Sequence, residues 1–224
     1  MVRKHGMDFR MLYWNPNYKG IDDWQLALKR KSAEKEDRKT NFKKRFIYGM
    51  CIITDIDYYI AQWHENENTE CELHEFLGLT KKEIDFYAKH NDNALKECLL
   101  SQRRIQNYRI YQLEISDGAV IPFAFGGIKL LHKAEFEYPP APLYRITADG
   151  QIWYEQSENE EQRLIRLTEI YADKLPSNYT GRCIAPSDVL ELYDGENRKF
   201  FYRDEGGFVP VHFLPELAKP LINK

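Results

Sequence analysis

The 224-residue chain has no paired cysteine motif, no membrane-length apolar run and no recognisable catalytic signature. Its four cysteines, Cys51, Cys71, Cys98 and Cys183, stand at irregular spacing without a Cys-x-x-Cys pair. That argues against a disulfide framework or a zinc ribbon and for reduced thiols used as small apolar side chains. No apolar stretch approaches the roughly 18 residues that span a bilayer. The basic opening Met1–Gly6 is not followed by the apolar core of an export signal. A cytoplasmic location with no membrane contact is therefore expected. Also missing are His-Glu-x-x-His, Gly-x-Ser-x-Gly and the glycine-rich phosphate cradles. The expectation is a protein without cofactor or metal, and not an enzyme.

The composition that remains is that of a folded protein, with 43% hydrophobic and 30% charged residues. Tyrosine (15) and phenylalanine (12) are plentiful, as an aromatic core requires. The net charge of −3 conceals an asymmetry: residues 1–50 hold 13 Lys and Arg against six acids, whereas everything after them is acidic. A basic head on an acidic body steers toward an anionic partner. The whole is too weakly acidic to imitate duplex DNA, with its one charge per about 1.7 Å.

The pattern predicts an α+β protein, with an N-terminal helical part followed by a β-rich antiparallel α+β domain. Three regions are expected: a basic segment at 1–50, a small helical domain at 51–107, and an α+β domain at 108–224. In the helical region Ile56, Tyr59, Ile60 and Trp63 recur at helical spacing. Leu73, Phe76 and Leu77 end at Gly78, a helix stop, and Thr80 with Glu83 forms a capping box. A fourth helix is expected over Asn93–Arg104. Thereafter Tyr108–Ile115 and Val120–Phe123 read as strands, Ile128–Leu131 as a short helix, and Leu143–Thr147 with Gln151–Glu155 as a hairpin turning at Asp149-Gly150. Glu160–Tyr171 has helical spacing. Val189–Tyr193, Arg198–Arg203 and Phe208–Val211 complete an antiparallel meander.

The most informative local feature is the basic tract Lys29, Arg30, Lys31, Lys35, Arg38, Lys39, Lys43, Lys44 and Arg45, with Trp14 and Trp24 upstream. Cations there can meet phosphates or an acidic protein face, and the rings can stack or pack; a solvated charged helix is the plain alternative. Other candidates are weaker. His64 and His74 with Glu65, Glu75 and Cys71 lack the spacing of a zinc site. Cys183 and His212 would need to converge to form a nucleophile–base pair. Asp188 and Asp194 read as turn residues, with Asp55, Asp57 and Asp204 the other aspartates that invite a metal-nuclease reading.

The stretch Tyr108-Arg109-Ile110-Tyr111-Gln112-Leu113, the segment Tyr179-Thr180-Gly181-Arg182-Cys183-Ile184-Ala185-Pro186-Ser187-Asp188-Val189-Leu190 and the closing Phe201–Phe208 together resemble YodL-like domains. Cys183 and Pro186 depart from the usual residues of that pattern. The resemblance spans roughly residues 108–212 and implies a protein of conjugative elements or phages, serving element establishment or the countering of host defences. It implies no catalytic residues. The helical region, through Gln62-Trp63-His64 and Leu73–Glu83, is similar to short mobile-element proteins. The expected function is a non-enzymatic inhibitor of a host defence complex, such as a CRISPR nuclease or restriction system, with a host protein or nucleoprotein as partner. The alternatives are a nucleic-acid-binding accessory factor in element transfer and a small hydrolase using Cys183, His212 or Asp188.

Overall fold

A computed structural model describes residues 41–65, 71–115, 118–172, 175–176 and 179–222. Polar caps set where its helices begin. Asn41 accepts from the Lys44 amide to open α1 (Phe42–Ile47), and α2 (Ile56–Glu65) follows a 3-10 turn at Ile53–Asp55. Next, α3 (Leu73–Leu77) stops at Gly78, whose φ of 73° is one that a Cβ disfavours. The Thr80–Glu83 capping box opens α4 (Lys81–Lys89), and Asn91 caps α5 (Asp92–Gln102). Phe42, Phe46, Ile56, Tyr59, Leu77, Leu79, Leu95 and Leu99 form one buried cluster among these helices. The helical unit thus starts before residue 51, because both phenylalanines of α1 are part of its core.

Five strands make a wholly antiparallel sheet in the order β2-β1-β3-β4-β5. They are β1 (Arg103–Leu113), β2 (Tyr144–Glu155), β3 (Val189–Asp194), β4 (Asn197–Asp204) and β5 (Gly207–Pro210). Between strands lie α6 (Ile128–Lys133) and α7 (Glu160–Ile170), the latter capped by Asn159. The α+β architecture and the closing meander are those the sequence pattern predicts.

Three expectations are corrected. The fourth helix stops at Gln102, and Arg103–Asn107 already belong to β1, paired with Gln151–Glu155. Val120–Phe123 is not a strand; a 3-10 turn at Gly118–Val120 places Val120 and Phe123 in the core. Asp149-Gly150 does not turn a hairpin but lies mid-strand in β2, facing Arg109 and Tyr108. Asp149 is held there by Arg109 at 2.7 Å. Gly150 lets the strand pass over the Tyr108 ring, since a Cβ would sit 2.9 Å from its hydroxyl. The register slips between Ile110 and Tyr111, leaving Thr147 as the extra residue of a bulge.

Both faces of the sheet are apolar at one end. Leu164, Leu167 and Tyr171 cover Tyr108, Ile110, Leu190, Leu192 and Phe201 on one side. On the other, Val120, Phe123, Leu131 and Phe213 cover Tyr111, Tyr144, Val189 and Tyr202. Each fully buried aliphatic or aromatic side chain here contributes about 1.5–3 kcal/mol. The helical unit docks where β1 begins and β2 ends. Lys43, 6% exposed, bridges Glu83 of α4 and Glu155 of β2, each at 3.0 Å. Arg103 lies over the rings of both Phe46 and Trp153, and Arg166 of α7 over Tyr48. Among the described residues no helix is long and apolar enough to cross a membrane.

Candidate functional site

The segment 179–188, which enters β3, is tied down by a buried polar knot. Asp188, 0% exposed, accepts from the Arg182 guanidinium, from Gln112 Nε2 at 3.0 Å and from the Ala185 amide at 2.9 Å. Gln112 also accepts from the Arg182 amide and donates to its carbonyl, both at 3.0 Å. Burial pushes the Asp188 carboxyl up to about 6, the guanidinium and the hydrogen bonds offsetting only part of that cost. Ser187 adopts φ 80°, a left-handed conformation rare for a residue with a Cβ. It is held by its amide donating to Arg203 O, its hydroxyl accepting from the Phe125 amide and its carbonyl accepting from Tyr144 OH. The Asp188 carboxylate, the Gln112 amide and the Ser187 hydroxyl are all spent on the fold, so the arrangement fixes backbone rather than offering a reacting atom.

A different kind of surface occupies the other half of the sheet, beyond Tyr111. Because side chains alternate between faces, Ile105, Asn107 and Arg109 of β1 share a face with Asp149 and Gln151 of β2, Glu191 and Tyr193 of β3 and Arg198 of β4. The register lines up Asp149, Arg109 and Glu191 across three strands, and Arg198 of β4 reaches Glu191 diagonally, so the charges alternate in sign. Glu191, 0% exposed, lies beneath Arg109 and Arg198 and accepts from Tyr111 OH at 2.6 Å. Burial alone would lower the Arg109 guanidinium, but the hydrogen bond and charge of Asp149, with Glu191 behind them, raise it. The bond to Glu191 raises Arg198. A second row runs alongside, with Gln151 donating to Asn107 at 2.8 Å and Tyr193 OH to Asp149 at 2.8 Å. Ile105 stands 58% exposed beside it. The result is a flat face of ordered hydrogen-bonding groups with the Tyr193 ring, the Ile105 side chain and, opposite Ile105, the partly exposed Trp153. It is a contact surface in shape, not a cleft.

Of the basic tract, Lys29, Arg30, Lys31, Lys35, Arg38 and Lys39 lie outside the described residues, as do Trp14 and Trp24. The described part divides. Lys44 is exposed and Arg45 half-buried, whereas Lys43 points inward and is committed to Glu83 and Glu155. Lys43 is thus a buried strut, not part of a cationic stripe. His64 packs edge-on against Trp63, and His74 Nδ1 lies 3.1 Å from Glu72. Cys183 donates to Ala172 O at 2.9 Å beyond α7, while His212 packs against Tyr138. Asp55 accepts from the Ile52 amide and Asp204 from the Ile128 amide, the local capping roles that aspartate favours. Among the described residues no three His, Cys, Asp or Glu side chains gather as a metal-ligand set. The sheet face escaped the sequence reading because its members come from four strands. The one available signal was the alternation Ile105, Asn107, Arg109, hidden by assigning 103–107 partly to a helix.

Taken together, the order β2-β1-β3-β4-β5, the α7 layer and the strand-entry knot define a small antiparallel α+β domain carried beside a helical unit. Residues 107–213, nearly all of the sheet and its covering segments, match the family model of the YodL-like domain. No curated protein and no solved structure matches the chain.

Proposed function

We propose that this chain is a non-enzymatic binding protein of a mobile genetic element or phage, acting in the cytoplasm by obstructing a host defence complex such as a CRISPR nuclease or a restriction system. The observation that carries the binding reading is the face of ordered polar groups around Arg109, Asp149 and Tyr193, which is uncovered among the described residues. Flat surfaces with pre-positioned hydrogen-bond groups suit protein partners, because little ordering entropy remains to be lost on contact. The similarity of residues 107–213 to YodL-like domains supports the mobile-element context.

One feature separates the readings. In the four-strand ladder two cations are matched by two carboxylates, so this face brings no surplus positive charge to a phosphate backbone. That favours a protein over naked nucleic acid as the partner of the sheet; an accessory nucleic-acid factor would have to work through Lys29–Arg45. A hydrolase reading would need Asp188 and Cys183 free, yet both are engaged by the fold. The test is target cleavage by a purified CRISPR nuclease–guide complex, and separately by a restriction endonuclease, with increasing amounts of this protein. The proposal expects inhibition that saturates at a fixed molar ratio with a co-eluting complex. Inhibition by trace, turning-over amounts would make it an enzyme, and salt-sensitive binding to the DNA alone would make it a nucleic-acid factor.

A further inference from the structure

A second surface lies on the helical unit. There α3 stops at Gly78, the chain turns through Gly78, Leu79 and Thr80, and α4 starts at Lys81. Leu73, Leu77, Leu79, Ile84 and Tyr87 all enter the one core of the unit, so both helices bury their apolar stripes in it. Two helices joined by a three-residue turn around a left-handed glycine are a helix-turn-helix, whose second helix can enter the major groove of duplex DNA. The outer side of α4 is uncovered among the described residues: Lys81, Lys82, Asp85, Phe86 and Lys89 are exposed, while Glu83 turns inward. Unlike the charges of the sheet face, the cations here are not spent on the fold. Among the described residues Lys82 and Lys89 meet no carboxylate, and Lys81 meets only Glu72, at 3.5 Å between two exposed side chains. The nearby acids are committed instead: Glu75 accepts from the Glu72 amide, Glu72 lies against His74 and Lys81, and Glu83 holds Lys43. That leaves Asp85 as the one unpaired acid of the α4 face among the described residues.

The turn is also where the basic tract of the sequence is fastened. The Asn41 side chain packs on Gly78, where a Cβ would meet it at 2.2 Å, and Lys43 of α1 reaches Glu83 of α4 at 3.0 Å. These contacts fix α1, with its exposed Lys44, against the turn, and Lys29–Lys39 precede Asn41 in the sequence. From this arrangement we infer that the helical unit binds duplex DNA, with α4 in the major groove and the basic tract that ends at its turn adding to the attraction. A helix with its side chains is about 10–12 Å across and the groove about 12 Å wide, so one uncovered helix fits. Lys82 and Lys89, about two turns apart on one stripe, reach phosphates or guanine edges. Phe86, its ring 4.4 Å from that of His90, offers the apolar contact that a thymine methyl takes. The inference goes beyond the defence-complex reading and uses other residues, since that reading rests on the sheet face. DNA binding through α4 is compatible with a nuclease complex formed through the sheet.

The experiment is a fluorescence-anisotropy titration of the full chain into a labelled pool of short random-sequence DNA duplexes, with the matching single strands and a duplex RNA beside it. Saturable binding of the DNA duplex is expected, weakening about tenfold or more between about 50 and 200 mM salt. Single strands and duplex RNA bind about tenfold more weakly, because neither presents a major groove that a helix can enter. Methyl green, which occupies the major groove, displaces the protein, and netropsin, a minor-groove ligand, does not. Lys82→Gln combined with Lys89→Gln weakens binding about tenfold or more and lowers the salt slope by about two, at an unchanged melting temperature. Asp85→Asn, which removes a charge that phosphates repel, tightens binding several-fold and keeps the test decisive even if the double variant misfolds. No binding of the duplex at about 50 mM salt overturns the inference. So does equal binding of single strands, displacement by netropsin alone, or full affinity in the lysine double variant. Inhibition in the cleavage assay is expected to be unchanged in that double variant, so the failure of either proposal is visible without the other.

Discussion

At the scale of single residues, two positions show how side-chain chemistry sets the backbone. Asp188 is the hub of the strand-entry knot, and its folded carboxyl stands at about 6, above the ordinary aspartate value of 3.8. A folded-state value raised in this way means the native form holds its proton more tightly than the unfolded chain. The stability from this group is full below about pH 4 and is lost as pH rises through 6. Asp188→Ala should remove that slope between pH 4 and 6, measured by urea unfolding at each pH. It should also lower stability by about 3 kcal/mol at neutral pH, because Arg182 and the Ala185 amide lose their acceptor. Gly150→Ala should cost about 1–3 kcal/mol, since the new methyl meets the Tyr108 ring, whose hydroxyl bonds Tyr171. A turn-forming role for Gly150 would instead predict strain without any change near Tyr108 and Tyr171. Resolving the two is a matter of observing those tyrosine signals by NMR. Asp149-Gly150 misleads because the dipeptide has two uses, turning a chain and passing a large cross-strand ring, and only the partner strand reveals which one applies.

Elements with local signals were legible, and those defined by distant partners were not. Gly78, the Thr80–Glu83 box and the turn before Asn197 act within a few residues, so they could be read directly. The start of β1 was hidden, because Arg103–Asn107 are polar enough to extend a helix and become strand only by pairing with Gln151–Glu155. Lys43 shows the same limit. In a row of cations it reads as one more surface charge, yet Glu83 and Glu155, 40 and 112 positions away, draw it inside. Desolvation works to lower the Lys43 ammonium, and its carboxylate partners more than reverse this, so its value is raised. Desolvation works to raise Glu83, but Gln102, the Thr80 amide and Lys43 lower it overall. The lysine's contribution is present below its unfolded value of about 10.5 and lost as pH rises past the folded one. The glutamate's is present above about 4.5 and lost as pH falls below it, so the cluster acts across the neutral range. Lys43→Ala should lower stability by about 3 kcal/mol, or roughly 6–12 °C in melting temperature, by leaving two carboxylates without their cation. An unchanged melting temperature would show that the seam between helical unit and sheet does not depend on this strut.

Among the described residues, the α7 layer and the segment 118–143 cover the apolar parts of the sheet, the helical unit has its own core, and the polar face around Tyr193 is not covered by them. The class of fold was readable from composition and periodicity, because burying apolar stripes admits few layer arrangements. The polar face proposed for binding was not, since it is a register property of four strands and contains no motif. Residues 107–213 match the YodL-like domain, a match that assigns no residue a role. The proposal assigns the face around Tyr193 to a protein partner, and the charges there are balanced within the fold.

The most direct check is the double variant Ile105→Glu with Gln151→Lys, two exposed positions whose replacement removes no core contact. It would be titrated beside the wild type into the nuclease-cleavage assay, with melting temperature as the folding control. The account predicts that the wild type inhibits at a fixed molar ratio and that the variant, equally folded, is weaker by about thirtyfold or more, as loss of a central contact implies. Equal inhibition by the two proteins, or none by the wild type, would contradict it.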